Sequence, residues 1–200
     1  MKQLVLASGN PGKLRELSAL LDDLGYLLKP QSDFAVVEAE ETGTTFVENA
    51  IIKARHAAVE TGLPCLADDS GIEVDALDGA PGVYSARFAG TPSDDTANNA
   101  LLVEKMRSIP EALRTARYRA VIVLMRHAKD PSPMICEGSW EGVIQLEPKG
   151  EGGFGYDPYF YLPQYGCTSA ELSAEEKNRI SHRGKALQQL KQNLTRNTRV

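Results

Sequence analysis

Pro64-Cys65-Leu66-Ala67-Asp68-Asp69-Ser70-Gly71 is the stretch on which the reading of this chain turns. A short apolar run ends in two adjacent carboxylates, a hydroxyl and a glycine. The run reads as a buried strand over Leu63 to Asp68, and Ser70-Gly71 reads as the turn that ends it. Neighbouring carboxylates repel each other. At the mouth of a strand they are tolerable where a metal ion or a bound water needs them.

Working outward, the flanking segments supply helices. Thr45-Phe46-Val47-Glu48 has the capping-box pattern and opens a helix to about Thr61, with Phe46, Ala50, Ile51, Ala54 and Ala58 on its apolar face; Gly62 stops it. Gln3 to Ala7 reads as a buried strand. A helix follows from Pro11 to Leu24, with Leu14, Leu17, Leu20, Leu21 and Leu24 on one stripe and Gly25 past its end. Residues 71–90 read as short strands and turns. Asp94 or Asp95 caps a helix ending near Met106. Tyr118 to Met125 and Met134 to Ile144 read as strands, joined by a turn at Asp130-Pro131-Ser132-Pro133. Ser173-Ala174-Glu175-Glu176 is another capping box, and a last helix covers Arg183 to Leu194, with Ala186, Leu187, Leu190 and Leu194 inward. The order is mixed α and β, without strict alternation, repeats or a low-complexity linker.

Two hundred residues at 42% hydrophobic content suit one globular domain, 1–200. No apolar run approaches the ~20 residues that span a bilayer, so no membrane partner is expected. The first residues read as a strand rather than a signal peptide, and the cytoplasm is the default compartment. Cys65, Cys136 and Cys167 are far apart and odd in number, which suits free thiols. A net charge of −5 argues against a general nucleic-acid binder but not against a small anionic substrate.

Four segments carry candidate chemistry. Ser8-Gly9-Asn10-Pro11-Gly12-Lys13 follows a strand and enters a helix, and a helix N-terminus with glycines and a lysine suits phosphate. It is not a Walker A loop, since Ala7 and Leu14 stand where glycine and Ser/Thr belong; it equally suits a plain strand–turn–helix joint. Asp68 and Asp69 suit magnesium, which takes one or two carboxylates plus phosphates, and a carboxylate there can orient an attacking water. Ser70 can donate to a phosphate oxygen. The plain alternative is an Asx turn. The acidic run Glu38, Glu40 and Glu41 reads as a solvated loop or, through Glu40 or Glu41, as completing a metal site with Asp69; spacing does not choose between the two. Lys53 reads as an exposed lysine or as a phosphate contact. Phe154-Gly155-Tyr156-Asp157 can stack a ring on a base or form a glycine-rich turn with core aromatics. Lys177, His182 and Arg183 can donate to base carbonyls or phosphate, or sit on exposed helix ends. Trp140, His56 and His127 read as core or surface residues. Together the segments suggest an enzyme that handles a nucleoside triphosphate with magnesium.

On these residues the chain resembles the inosine triphosphate pyrophosphatases, and within them the bacterial XTP/dITP diphosphatases. Ser8–Lys13, Phe46–Lys53, Ala67–Gly71, Gly79–Arg87, Gly152–Pro158 and Ser181–Gly184 match in family order; Ser8 stands where threonine is common. The resemblance implies a mixed α/β fold, with a long central mixed sheet and two lobes flanking an active-site cleft. It implies Mg2+-dependent hydrolysis of dITP, ITP and XTP to the monophosphate and pyrophosphate, by a homodimer that clears these nucleotides from the pool. Carried onto this chain, Asp69 is the proton acceptor and a metal ligand, with Glu40 or Glu41 as further ligands. Ser8, Gly9, Asn10, Pro11, Gly12, Lys13, Ser70, Phe154, Gly155, Tyr156, Asp157, Lys177, His182 and Arg183 contact the purine nucleotide. The substrate logic is physical. Hypoxanthine and xanthine present a carbonyl at C6 where adenine has an amino group, and a donor-only pocket leaves that amino group unpaired, at about 1–3 kcal/mol. A pyrophosphatase for another modified nucleotide, such as a methylated pyrimidine, is the runner-up. A non-catalytic binder gains nothing from carboxylates beside phosphate.

Overall fold

The computed structural model describes residues 2–22 and 24–196. A seven-stranded mixed sheet runs in the order β2-β1-β3-β4-β5-β6-β7. Its strands are β1 (Lys2–Leu6), β2 (Tyr26–Pro30), β3 (Cys65–Val74), β4 (Thr115–Met125), β5 (Met134–Ile144), β6 (Phe160–Leu162) and β7 (Cys167–Thr168). The helices are α1 (Pro11–Asp22), α2 (Phe46–Thr61), α3 (Asp95–Met106), α4 (Ala174–Ile180) and α5 (His182–Arg196). β1 pairs in parallel with β2 and β3, which requires helical crossovers, and α1 and α2 occupy those connections. At the other end β5, β6 and β7 pair antiparallel.

The chain divides into two compact units. One comprises Ser70–Arg119 and Gly138–Gly184, and the remaining described residues form the other. The unit that contains β1 packs Leu4, Leu6, Leu66, Ile122 and Leu124 of its strands against Leu17 and Leu21 of α1 and against Ala186, Leu187, Leu190 and Leu194 of α5. Leu14 and Leu24 pack at the margin of this cluster; the side chain of Leu20, expected on the same stripe, lies outside the described residues. The other unit buries Ile72, Val74, Leu102, Met106, Tyr118, Trp140 and Phe160 together.

Local signals in the sequence account for most boundaries. Thr45 caps α2 with a reciprocal Thr45–Glu48 capping box, and Gly62 ends the helix in the left-handed region. Asp94, not Asp95, caps α3 by accepting from the Thr96 and Ala97 N–H groups. Ser173 and Glu176 form the box that opens α4.

One expectation fails. Ser70-Gly71 does not turn the chain: β3 runs without a break from Cys65 to Val74. Period-two burial explains this, because Ile72 and Val74 resume the apolar alternation and are fully buried. Gly71 is absent from the positive-φ glycines, and the Ile72 N–H finds Ser85 Oγ at 2.9 Å. Asp68 and Asp69 therefore stand inside a strand rather than at its mouth, with Asp68 1% and Asp69 8% exposed.

Candidate active-site residues

Successive residues of a strand point to opposite faces, so β3 separates the two carboxylates that repel each other in sequence. Each meets its own lysine. Lys13 Nζ of α1 lies 2.5 Å from Asp68 Oδ2. Lys53 Nζ of α2 lies 2.9 Å from Asp69 Oδ1. Both lysines also donate to the Asp68 carbonyl oxygen, Lys13 at 3.4 Å and Lys53 at 3.0 Å. Lys53 is thus not the exposed lysine that sequence alone allows. It additionally holds Glu41 Oε1 at 2.7 Å, which joins Glu41 to Asp69 through one ammonium group; Glu40 is exposed.

Asp69 carries the features of a reactive carboxylate. Burial pushes its carboxyl above the usual aspartate range, against the pull of Lys53 and, more weakly, Lys13; Glu41 pushes the same way as burial. Burial alone would lower the Lys53 ammonium, but Asp69 and Glu41 outweigh it and hold Lys53 above its ordinary value. While Oδ1 accepts from Lys53, Asp69 Oδ2 is buried and has no hydrogen-bond partner among the described residues. A carboxylate oxygen in that condition suits a hard cation or a water. Among the described residues no group of three or more His, Cys, Asp and Glu side chains converges on one point. Asp69 and Glu41, joined through Lys53, are two carboxylates that could offer oxygen ligands to a divalent cation.

The loop at Ser8–Lys13 is organised by its own side chains. Asn10 Oδ1 accepts from the N–H of Gly12 at 2.8 Å and of Lys13 at 3.2 Å, the pattern of a helix N-cap, and Pro11 opens α1. Ser8 Oγ accepts from the Asn10 N–H at 3.1 Å. The first-turn N–H groups expected to be open to phosphate are therefore occupied by Asn10. Gly9 donates its N–H to Glu38 Oε1 at 3.0 Å. A Cβ at residue 9 would come within 2.9 Å of that oxygen, so glycine permits the contact. Glu38, read from sequence as part of a solvated run, is a carboxylate on the anion-type loop.

In the other unit the glycine-rich segment presents one aromatic ring and hides another. Phe154 is 59% exposed. Tyr156 is 4% exposed, packs in the core, and donates its hydroxyl to the Ser85 carbonyl at 2.6 Å. This rules it out as the exposed stacking surface that sequence allowed. Asp157 is also turned inward. Its Oδ1 accepts from Ser169 Oγ at 2.6 Å, and its Oδ2 accepts from the Phe154 N–H at 2.8 Å and pairs with Lys177. The carboxylate ties the loop to α4 rather than reaching outward. A Cβ at residue 153 would strike that same oxygen, and Gly153 has φ of +77°, so both space and conformation require glycine.

Two cations face the exposed ring. Lys177 Nζ lies 5.2 Å and Arg183 Cζ 5.9 Å from the Phe154 centroid, within cation–π range. Arg183 Nη2 also donates to Ser70 Oγ at 3.2 Å, so Ser70, Phe154, Lys177 and Arg183 form one group. His182 stands apart from this group. It is buried, with its ring stacked on Tyr118 at 4.7 Å and 9° and near Trp140 at 6.3 Å. Trp140 is a core residue.

Sequence reasoning undervalued Lys53, gave Asp95 only a possible helix-capping part and gave Asn99 none, yet both reach the glycine-rich loop. The signal for Lys53 was present: it follows Asn49 by one helical turn amid Ala50, Ala54, Ala57 and Ala58, and a polar pair on a face of small residues marks burial with a partner.

The fold is an α/β protein built on a mixed sheet, with lysine-answered carboxylates in its third strand. A family model described as the Ham1 family matches residues 4–193, and the chain belongs to that family. A Xylella fastidiosa protein named dITP/XTP pyrophosphatase is 61% identical over 191 residues, 96% of each chain. Among solved structures, a HAM1 protein from Coxiella burnetii superposes with a TM-score of 0.95 at 52% identity, covering 98% of this chain and all of that one. A nucleoside-triphosphatase / dITP/XTP pyrophosphatase from Mycobacterium abscessus gives a TM-score of 0.78 at 44% identity, over 94% of this chain and 97% of that one.

Proposed function

We propose that the protein, acting through residues 1–200 as one catalytic domain, hydrolyses dITP, ITP and XTP to the nucleoside monophosphate and pyrophosphate. The observation that carries this reading is the buried Asp69 carboxylate, with one oxygen on Lys53 and the other without a hydrogen-bond partner among the described residues. The names of the Xylella and Mycobacterium relatives support the substrate class.

In this reading a water attacks the α-phosphorus, its proton passes to Asp69, and the bond to the bridging oxygen breaks to release pyrophosphate. A base with its carboxyl above the usual range is better matched to that task near neutral pH. Lys53 keeps Asp69 ionised enough to accept the proton. Asp69 and Glu41 would hold Mg2+, in preference to Glu40, and the cation when bound supplies charge neutralisation for the phosphates. Lys13 and the hydroxyl of Ser8 serve phosphate, since the backbone N–H groups of Gly9, Asn10 and Gly12 are already taken by Glu38, Ser8 and Asn10. Phe154 stacks on the base, and Arg183, which can only donate hydrogen bonds, reads the C6 carbonyl, with Lys177 and Ser70 beside it.

Activity on these nucleotides would keep deaminated purines out of DNA and RNA. A homodimer in the cytoplasm completes the proposal. That compartment suits the three free cysteines. A panel of nucleoside triphosphates, assayed for pyrophosphate against orthophosphate with and without Mg2+, tests the reading. Orthophosphate as the product, or ATP hydrolysed as fast as dITP, overturns it.

A further inference from the structure

The exposed ring of Phe154 has a fixed backbone, and part of that fixation comes from α3. Asp95 Oδ2 accepts from the Gly155 N–H at 2.8 Å. Asn99 Nδ2 donates to the Gly155 carbonyl at 2.9 Å. Asp95 and Asn99 are four residues apart and so share one face of the helix. Their two bonds bracket a single residue, fixing the peptide planes on both sides of Gly155, which itself has φ of +62°. On the other side of Phe154 its own N–H is held by Asp157 at 2.8 Å.

This fixation does little for the core. The ring it orients is 59% exposed and faces Lys177 and Arg183. Asn99 even leaves its Oδ1 buried without a hydrogen-bond partner among the described residues, an unfavourable condition tolerated for the sake of its donor. A flexible glycine-flanked loop would lose entropy each time it ordered around a ligand. A loop ordered in advance does not, and binds more tightly for that reason.

We infer that Asp95 and Asn99 are positioning residues: they clamp the Gly155 peptide so that the Phe154 ring is preset for the nucleobase. The inference rests on the reading of Phe154 as the base-stacking residue. The clamp acts on base affinity, not on phosphate affinity or the chemical step. Its signature is therefore a rise in KM with kcat kept, and its effect disappears once the ring is gone.

The experiment is a double-mutant cycle on the full chain, with dITP as substrate and pyrophosphate as a competing ligand that lacks a base. Asp95→Ala should raise KM for dITP about tenfold, as expected for loss of a charge-assisted bond, with kcat within about twofold. The inhibition constant for pyrophosphate should not move. Asp95→Asn keeps an acceptor oxygen and should restore most of the affinity. In a Phe154→Ala background, adding Asp95→Ala should change KM by less than about twofold, because the two residues act through one contact. Additive effects in the cycle, or an equal loss of pyrophosphate affinity, overturn the clamp while leaving base stacking in place. A Phe154→Ala variant with unchanged KM removes the stacking reading and the clamp together. If Asp95→Ala does not fold, Asn99→Leu enters the same cycle with the same criteria.

Discussion

Lys53 and Asp69 meet at 2.9 Å, Nζ to Oδ1, between the middle of α2 and the middle of β3. Burial drives the Asp69 carboxyl up and the lysine pulls it back. The proposed chemistry depends on that balance, because a general base works only when ionised.

Replacing the carboxylate itself is the most direct test. Asp69→Asn should lower kcat by about 10²–10⁴, since an amide cannot accept the proton. The fold should survive, because the amide retains an acceptor for Lys53 and removes a buried charge. A variant that keeps a tenth of wild-type turnover while melting normally would exclude Asp69 as the base.

Lys53→Met should shift a pH profile. Without the ammonium, Asp69 loses its main opposing influence and titrates higher still, so the acid limb of kcat/KM moves to higher pH. Stability follows the same sign. A carboxyl raised on folding stabilises below its unfolded value and loses that contribution as pH rises through its folded value. The stability gap between wild type and Lys53→Met should therefore widen as pH rises above the ordinary aspartate value of 3.8. A gap that narrows with rising pH would contradict the assignment.

Lys13→Ala should cost about 3 kcal/mol of stability in urea melts, because it strips an ion-pair partner from a carboxylate that is 1% exposed. Lys13→Ala with Asp68→Asn should recover a large part of that loss. In binding titrations the single variant should weaken inosine triphosphate far more than inosine. Equal losses would separate Lys13 from phosphate.

Arg183→Ala distinguishes base reading from phosphate binding. As a base-edge donor, Arg183 should favour dITP over dATP, and its loss should narrow the ratio of kcat/KM by about one decade. An unchanged ratio with both substrates slowed would assign the guanidinium to phosphate instead.

Acid stability has a separate handle at the β4–β5 turn. Hydrogen bonds from Arg126, supported by the Ser132 N–H, hold the buried Asp130 carboxyl well below the usual range. A depressed carboxyl stabilises above its unfolded value and loses that contribution as pH falls through its folded value. Asp130→Asn should cost about 1 kcal/mol at pH 7, a modest figure because Arg126 is exposed. The difference should vanish in strong acid. A difference independent of pH would mean packing, not charge, is at stake.

Much of the fold was legible because local chemistry fixed it. The Thr45–Glu48 and Ser173–Glu176 boxes, Gly62, and the β-branched runs around Ile122 and Val143 all stand where the sequence places them. Ser70-Gly71 misled because serine and glycine are turn residues in isolation, while burial of Ile72 and Val74 extends the strand through them. The site was half legible. Carboxylates and lysines announce themselves by type, but pairing is a tertiary property: which lysine answers which aspartate, and that Glu41 rather than Glu40 meets Lys53, depends on contacts 12 to 55 residues apart. Tyr156 and Asp157 were indistinguishable by composition from the exposed Phe154, since inward and outward residues of a glycine-rich loop follow no fixed period, and His182 opens α5 where a polar residue is ordinarily exposed but here stacks on Tyr118.

The alternation of Asp68 and Asp69 in β3 also constrains how a gene for this protein can drift. Loops change length at little cost, because chains tolerate insertions and deletions there. An insertion or deletion of one codon just ahead of Asp68 is different in kind. It would exchange the faces of both carboxylates at once, setting each against the wrong helix. In a scan of single-codon insertions and deletions, positions 65 to 69 should therefore be intolerant as a block, even where every individual side-chain replacement at Cys65 or Ala67 survives.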